Sequence, residues 1–178
     1  MTTHLFLERT FDPPIDAAKV LERSHVSWCL EMYRVSWQAS FLAVGGGALV
    51  CWFAGPDAES ARRALNKSGV DTRRLWIGTV HHAVTPAKPN VMVERSFAKP
   101  VELADIRAAE DAVAWRLQAH RVKHAQTFFA ADRKRMLCLY EAPDAGSVRL
   151  AQRDAGLPAD AVWMFDRVVP DVSLPRSP

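Results

Sequence analysis

The sequence predicts an α+β protein: two tandem ferredoxin-like β-α-β-β-α-β modules packed sheet to sheet as a pseudo-dimeric α+β barrel. Three observations carry that expectation. The two halves of the 178-residue chain repeat one another. Within each half, apolar residues alternate between the strand and the helix period. Finally, the sheet face that the helices leave uncovered in each module is itself largely apolar, and two such faces can bury each other.

The repeat is legible residue by residue. Phe6-Leu7-Glu8-Arg9-Thr10-Phe11 runs beside Met92-Val93-Glu94-Arg95-Ser96-Phe97 at a spacing of 86, and Pro14 beside Pro100. From Trp28 and Trp115 the spacing is 87, through Arg34-Val35 with Arg121-Val122, Phe41 with Phe128 and Cys51 with Cys138. It continues through Pro56-Asp57-Ala58 with Pro143-Asp144-Ala145, Arg62 with Arg149, Gly69 with Gly156 and Trp76 with Trp163. The slip of one falls between Ala18 and Val26. Module 1 therefore spans residues 1–82, a proline-bearing connector 83–89, module 2 residues 90–170, and a tail 171–178.

Within the first module, 5–9 reads as a strand and 16–33 as a helix with Val20, Leu21, Trp28 and Leu30 at helical spacing. Strand alternation resumes at Val35, Trp37, Ala39, Phe41 and Ala43, and 49–54 is a nearly continuous apolar strand. Asp57 is placed to cap a helix that ends at Gly69, and 75–80 supplies the last strand. Gly45-Gly46-Gly47 lies between two strands, as does its counterpart Asp132-Arg133-Lys134, so it predicts a hairpin turn and not a phosphate cradle.

Composition narrows the function classes. Hydrophobic residues make up 49% and charged residues 24%, and 23 basic against 20 acidic side chains form no long block of one sign, which argues against a dedicated nucleic-acid surface. Arg133, Lys134 and Arg135, with Arg121 and Lys123, read as a solvated basic face lacking interleaved aromatics. Residues 1–9 carry His4, Glu8 and Arg9 and do not resemble a signal peptide, and 35–56 is a hairpin and not a membrane span; a cytoplasmic protein is expected. Cys29, Cys51 and Cys138 lack metal-ligand spacing and read as buried reduced thiols, and His81-His82 as a solvated strand end.

Candidate chemistry comes from comparing the modules. Trp37 is matched by His124, Ala39 by Gln126, Phe53 by Tyr140 and Ala54 by Glu141, so module 2 is chemically richer. Strand parity places His124, Gln126 and Phe128 on one face. Glu8 and Glu94 are acids kept at the same place in both first strands, either as structural ion pairs or as carboxylates facing an inter-sheet pocket. The expected site has Glu94, His124 and Tyr140 as the proton-transfer set, and Glu8, Trp37, Phe41, Trp52, Gln126 and Phe128 as its walls.

The strings Met136-Leu137-Cys138-Leu139-Tyr140-Glu141-Ala142-Pro143-Asp144-Ala145 and Ala155-Gly156-Leu157-Pro158, with Val93-Glu94-Arg95-Ser96-Phe97 upstream, resemble a bacterial family of uncharacterised domains that includes a small nickel-binding ferredoxin-like protein. The resemblance covers the whole second module and, more diverged, Glu8-Arg9, Cys51 and Pro56-Asp57-Ala58 of the first. It implies the ferredoxin-like fold and, because members are usually single modules, a fused dimer. It also implies histidine-rich positions on the first strand and both helices; here they hold Glu8-Arg9 and Glu94-Arg95, Ser24-His25 and Glu110-Asp111, and 64–68 and 151–155, with only His25 near an expected place. A fused pair of this kind is similar to the dimeric α+β barrels, whose members include cofactor-free monooxygenases, isomerases and lyases. The leading expectation is binding of a small, largely apolar organic ligand between the sheets, without cofactor, as a binding protein or a cofactor-independent lyase, isomerase or oxygenase. A nickel or other transition-metal binder and a non-catalytic assembly module are the alternatives, and the pseudo-dimer is free to associate into a homo-oligomer.

Overall fold

The computed structural model describes residues 2–24 and 27–170; His25 and the tail 171–178 lie outside the described residues. The elements run β1 (Thr3–Thr10), α1 (Ala17–Ser24), α2 (Ser27–Met32), β2 (Ser36–Ala43), β3 (Ala48–Gly55), α3 (Ala58–Lys67) and β4 (Leu75–His82). They continue with β5 (Val91–Ser96), α4 (Leu103–Ala112), α5 (Ala114–Ala119), β6 (Lys123–Ala130), β7 (Arg135–Glu141), α6 (Ala145–Ala155) and β8 (Ala161–Val168). The helical pattern over 16–33 is two helices. Its counterpart also breaks, at Val113 between α4 and α5.

Local chemistry explains the boundaries. Asp57 and Asp144 each accept a backbone N–H three residues on, from Ser60 and Ser147 at 2.7 Å, and so satisfy an otherwise orphaned donor at the starts of α3 and α6. Gly156 ends α6 at φ 68°, where an L side chain is disfavoured. In the β2–β3 hairpin, Gly46 sits at φ 76° with its carbonyl bonded to the Ile15 N–H, and a Cβ there would collide with the Ile15 carbonyl.

The chain divides into two compact units, one holding the described residues through Ile77 and from Asp166 onward, the other Gly78–Phe165. In the first, β3 lies between β1 and β2, antiparallel to both, with Leu7 opposite Cys51 and Ser40 also opposite Cys51. Leu5, Leu7, Cys51 and Phe53 share a core with Val20 of α1 and with Ala61 and Leu65 of α3. In the second, the strand order is β8-β5-β7-β6-β4, and Val91, Val93, Cys138 and Tyr140 share a core with Leu117 of α5 and with Val148 and Ala151 of α6. Each sheet thus has one face covered by its own helices.

Two β-bulges decide which side chains occupy that covered face. The register shifts between Trp37 and Ala39 in β2 and between His124 and Gln126 in β6. Each bulge inserts one residue that the partner strand does not match, which reverses the facing of everything before it. The parity reading that put His124 with Gln126 and Phe128 is therefore corrected: His124 is opposite Tyr140 on the helix-covered face, while Gln126 is opposite Leu139 and Phe128 opposite Leu137 on the other. Likewise Trp37 opposes Phe53, and Ala39 opposes Trp52.

No helix is long and apolar enough to cross a membrane among the described residues.

Candidate functional site

The expected site residues fall on two faces. Glu94 lies between Val93 and Arg95, whose side chains are under the helices, so its carboxylate points to the opposite face. There it accepts from Trp163 Nε1 and Arg135 Nη2, both at 2.7 Å. Glu8 is held the same way in the first unit, by Trp76 Nε1 at 2.8 Å and Arg74 Nη2 at 2.6 Å. Phe41, Gln126 and Phe128 are buried, and Trp52, partly buried, donates to His4 Nδ1 at 3.2 Å. The structure does not bring Glu94 to His124 and Tyr140.

His124 and Tyr140 do meet, with ring centroids 5.5 Å apart on the covered face of the second unit. The acid beside them is Glu110 of α4, which accepts from the Tyr140 hydroxyl at 3.1 Å. At the centre is Arg95, only 1% exposed: it donates to Glu110 Oε1 at 2.8 Å, to Gln152 Oε1 at 2.8 Å and to the Tyr140 hydroxyl at 3.2 Å. Burial opposes the charge on Arg95, but its surroundings, with Glu110 in direct contact, outweigh that and hold the guanidinium ionised. Burial raises the Tyr140 phenol well above its ordinary range, and it lowers His124, against the pull of Glu110 and with the help of Arg107 and Arg95. At neutral pH the cluster is one enclosed ion pair surrounded by neutral donors and acceptors. That set can orient and polarise but has no thiolate or ionised imidazole to offer.

The first unit repeats part of this arrangement. Trp37 Nε1 donates to Ser40 Oγ at 2.9 Å, and Ser40 Oγ to Cys51 Sγ at 3.0 Å. At the matched positions His124 Nε2 lies 2.8 Å from Thr127 Oγ1, which donates to Cys138 Sγ at 3.7 Å. Burial pushes both thiols up to about 11, so neither is a nucleophile at neutral pH. Beyond these residues the units diverge. Where the second has Tyr140 and Gln152, the first has Phe53 and Leu65, and there a cavity of about 70 Å³ opens among the side chains of the core. Its walls are mainly apolar, including Leu7, Val20, Leu30, Trp37, Phe53 and Leu65, with Arg9, Ser40 and Ser68 as polar lining.

Of the residues that meet in the covered cluster or line the cavity, sequence reasoning had named Trp37, His124 and Tyr140 as site residues but not Arg95, Glu110, Gln152 or Arg9. For the arginines a signal existed. Alternation along Val91, Val93 and Arg95 puts Arg95 under the helices, and alternation along Leu5, Leu7 and Arg9 does the same for Arg9.

Two ferredoxin-like sheets with helices on one face define a dimeric α+β barrel class of fold, and structural comparison agrees. The chain is similar to chlorite dismutase from Candidatus Nitrospira defluvii, at 12% identity and TM-score 0.50 over 95% of this chain and 91% of that one. It is similar to an anthrone oxidase-like protein at 15% identity and TM-score 0.50, over 96% and 91%. A chlorite dismutase candidate, TA0507, aligns at 9% identity and TM-score 0.51, over 94% and 95%. At these identities the likeness is one of fold. Residues 92–164 match the family described as nickel responsive protein SCO4226-like, and no curated protein matches the chain in sequence.

That family name implies nickel, and the donors among the described residues do not fit it. No group of three or more His, Cys, Asp or Glu among the described residues is placed to hold a metal ion. His81 engages Thr79, His120 engages Asp154 and His124 engages Thr127.

Proposed function

We propose that the protein binds a small, largely apolar organic ligand, and that the cavity beneath the helices of the first unit is its seat. The observation that carries this reading is the cavity itself. Apolar walls broken by a few polar groups are the usual make-up of a small-molecule site. Natural cores leave few voids, and at the matched place in the second unit Tyr140 and Gln152 are hydrogen-bonded to Arg95. A volume of about 70 Å³ is roughly half that of a dry cavity known to take benzene, so it suits a group of about three or four carbons. Ser40 and the protonated Cys51 thiol offer hydrogen bonding but no ionised acid or base, so the reading is of binding and leaves turnover out.

Xenon tests the seat, because it enters small apolar cavities without needing a polar partner. Under xenon pressure the methyl resonances of Leu7, Val20 and Leu30 should shift and saturate while those of Val148 in the second unit stay fixed. A flat or uniform response removes the reading. Native mass spectrometry of untagged protein then reports any organic passenger retained through purification.

A further inference from the structure

Resting on the cavity just described, we infer that its ligand is a short aliphatic alcohol of about three or four carbons, with its hydrocarbon body in the cavity and its hydroxyl donating to Ser40 Oγ. The argument comes from the hydrogens that the polar lining has left to give. Ser40, only 1% exposed, carries one hydroxyl hydrogen and two lone pairs. One lone pair takes the Trp37 indole N–H at 2.9 Å, and the hydrogen goes to Cys51 Sγ at 3.0 Å. The second lone pair is left. Ser68 likewise spends its hydrogen on the Ala64 carbonyl, at 3.0 Å. Both serines therefore line the cavity as acceptors, beside a Cys51 thiol that burial keeps protonated and whose S–H donates weakly.

A ligand hydroxyl brings the proton this lining lacks, whereas a ketone or ether sets acceptor against acceptor and leaves both unpaired. An ammonium would be stripped of water against hydrocarbon with the Arg9 guanidinium in the same lining, which excludes cations. Arg9 itself lies over the Phe11 ring at 4.8 Å and joins Arg73 in holding Asp71 low, and any N–H it turns to the cavity serves an alcohol and a ketone alike. The duplication points the same way. At the place of Phe53 the second unit carries Tyr140, whose hydroxyl supplies a donor on the covered face, to Glu110 at 3.1 Å; Phe53 supplies none and lines the cavity.

The test titrates the full chain with propan-2-ol and with propanone, which share a skeleton and differ in the donor, reading the methyls of Leu7, Val20 and Leu30 against Val148 as the solvent control. Propan-2-ol should saturate with a Kd about threefold or more below that of propanone, the margin of one neutral hydrogen bond. Ser40→Ala should abolish that margin. Without any variant, an intermolecular NOE from the propan-2-ol methine proton to the Ser40 β-protons should place the hydroxyl. Equal or tighter binding of propanone, a margin that survives in Ser40→Ala, or absence of the NOE overturns the alcohol inference. Where xenon still shifts the cavity methyls, the cavity reading stands through that failure; if xenon and both ligands leave them unmoved, the two fall together.

Discussion

Filling the cavity should stabilise the protein and block its ligand in one step. Val20 and Val70 both line it, one from α1 and one from the segment after α3. Lengthening each by one methylene, Val20→Leu with Val70→Leu, adds about 1.6 kcal/mol of apolar transfer free energy if the new atoms are fully enclosed. An independent figure comes from the void: at about 24 cal/mol per Å³, closing some 70 Å³ is worth about 1.7 kcal/mol. The two agree, so a gain of about 1 to 1.7 kcal/mol is expected for the pair, read as a shift in the urea midpoint at unchanged m-value. Xenon shifts at Leu7 and Leu30 should vanish in the same variant. Overpacking a full core instead costs about 1–3 kcal/mol, so a pair that loses more than about 1 kcal/mol shows that no such space exists. A stabilised variant that still takes up xenon would place the ligand elsewhere.

Three further outcomes follow from the second unit and the metal question. Arg95→Met should cost about 3–5 kcal/mol, because it strands Glu110, only 13% exposed, without its cation. Adding Glu110→Leu should recover at least about 2 kcal/mol, and a double-mutant cycle with no coupling would refute the buried-pair account. Because burial and the nearby arginines lower His124 below 6.5, despite Glu110, the unfolded chain protonates first; stability is full above pH 6.5 and falls as pH drops below it. His81, lowered by burial, Arg107 and His82, adds to the same trend. His124→Phe should flatten the fall between pH 7.5 and 5.5, and hydrogen exchange should report it first in α4, which buries no residue and lacks a side-chain cap. An unchanged pH slope in His124→Phe would count against this. Nickel at modest excess should raise Tm very little, since stabilisation requires tight native-state binding and no three-donor cluster is present among the described residues. A shift of many degrees would show a site that the geometry does not provide.

What the sequence disclosed was whatever depends on neighbours along the chain. The cap at Asp57, the glycine hairpin and the strand over 49–54 each follow from a handful of adjacent residues, and all are where they were expected. The site was less legible because it depends on pairing between distant segments. Nothing near Glu110 announces that its carboxylate will meet a β5 arginine and a β7 phenol, and the cavity is a remainder left by Phe53 and Leu65, invisible to any count of apolar residues. Arg95 is the instructive case. Its charge suggested a strand end, while its parity placed it in the core, and parity prevailed because Glu110, Tyr140 and Gln152 supply the partners a buried guanidinium needs.

The bulges at Trp37/Ala39 and His124/Gln126 work as phase shifts in how sequence is translated into sidedness. Upstream of each, odd and even positions exchange meaning, so an alignment that treats the strand as uniform assigns Trp37 and His124 to the wrong neighbours. The same property makes these two strands unusually sensitive to length. Deleting Ala125 would restore even pleating and turn the imidazole of His124 away from Tyr140 and Thr127, with no atom of any site residue replaced. Gln38 holds the corresponding lever for Trp37. In this fold, insertion and deletion at one backbone position in each β2-type strand offer a route to rewire the covered face that point substitution alone does not reach.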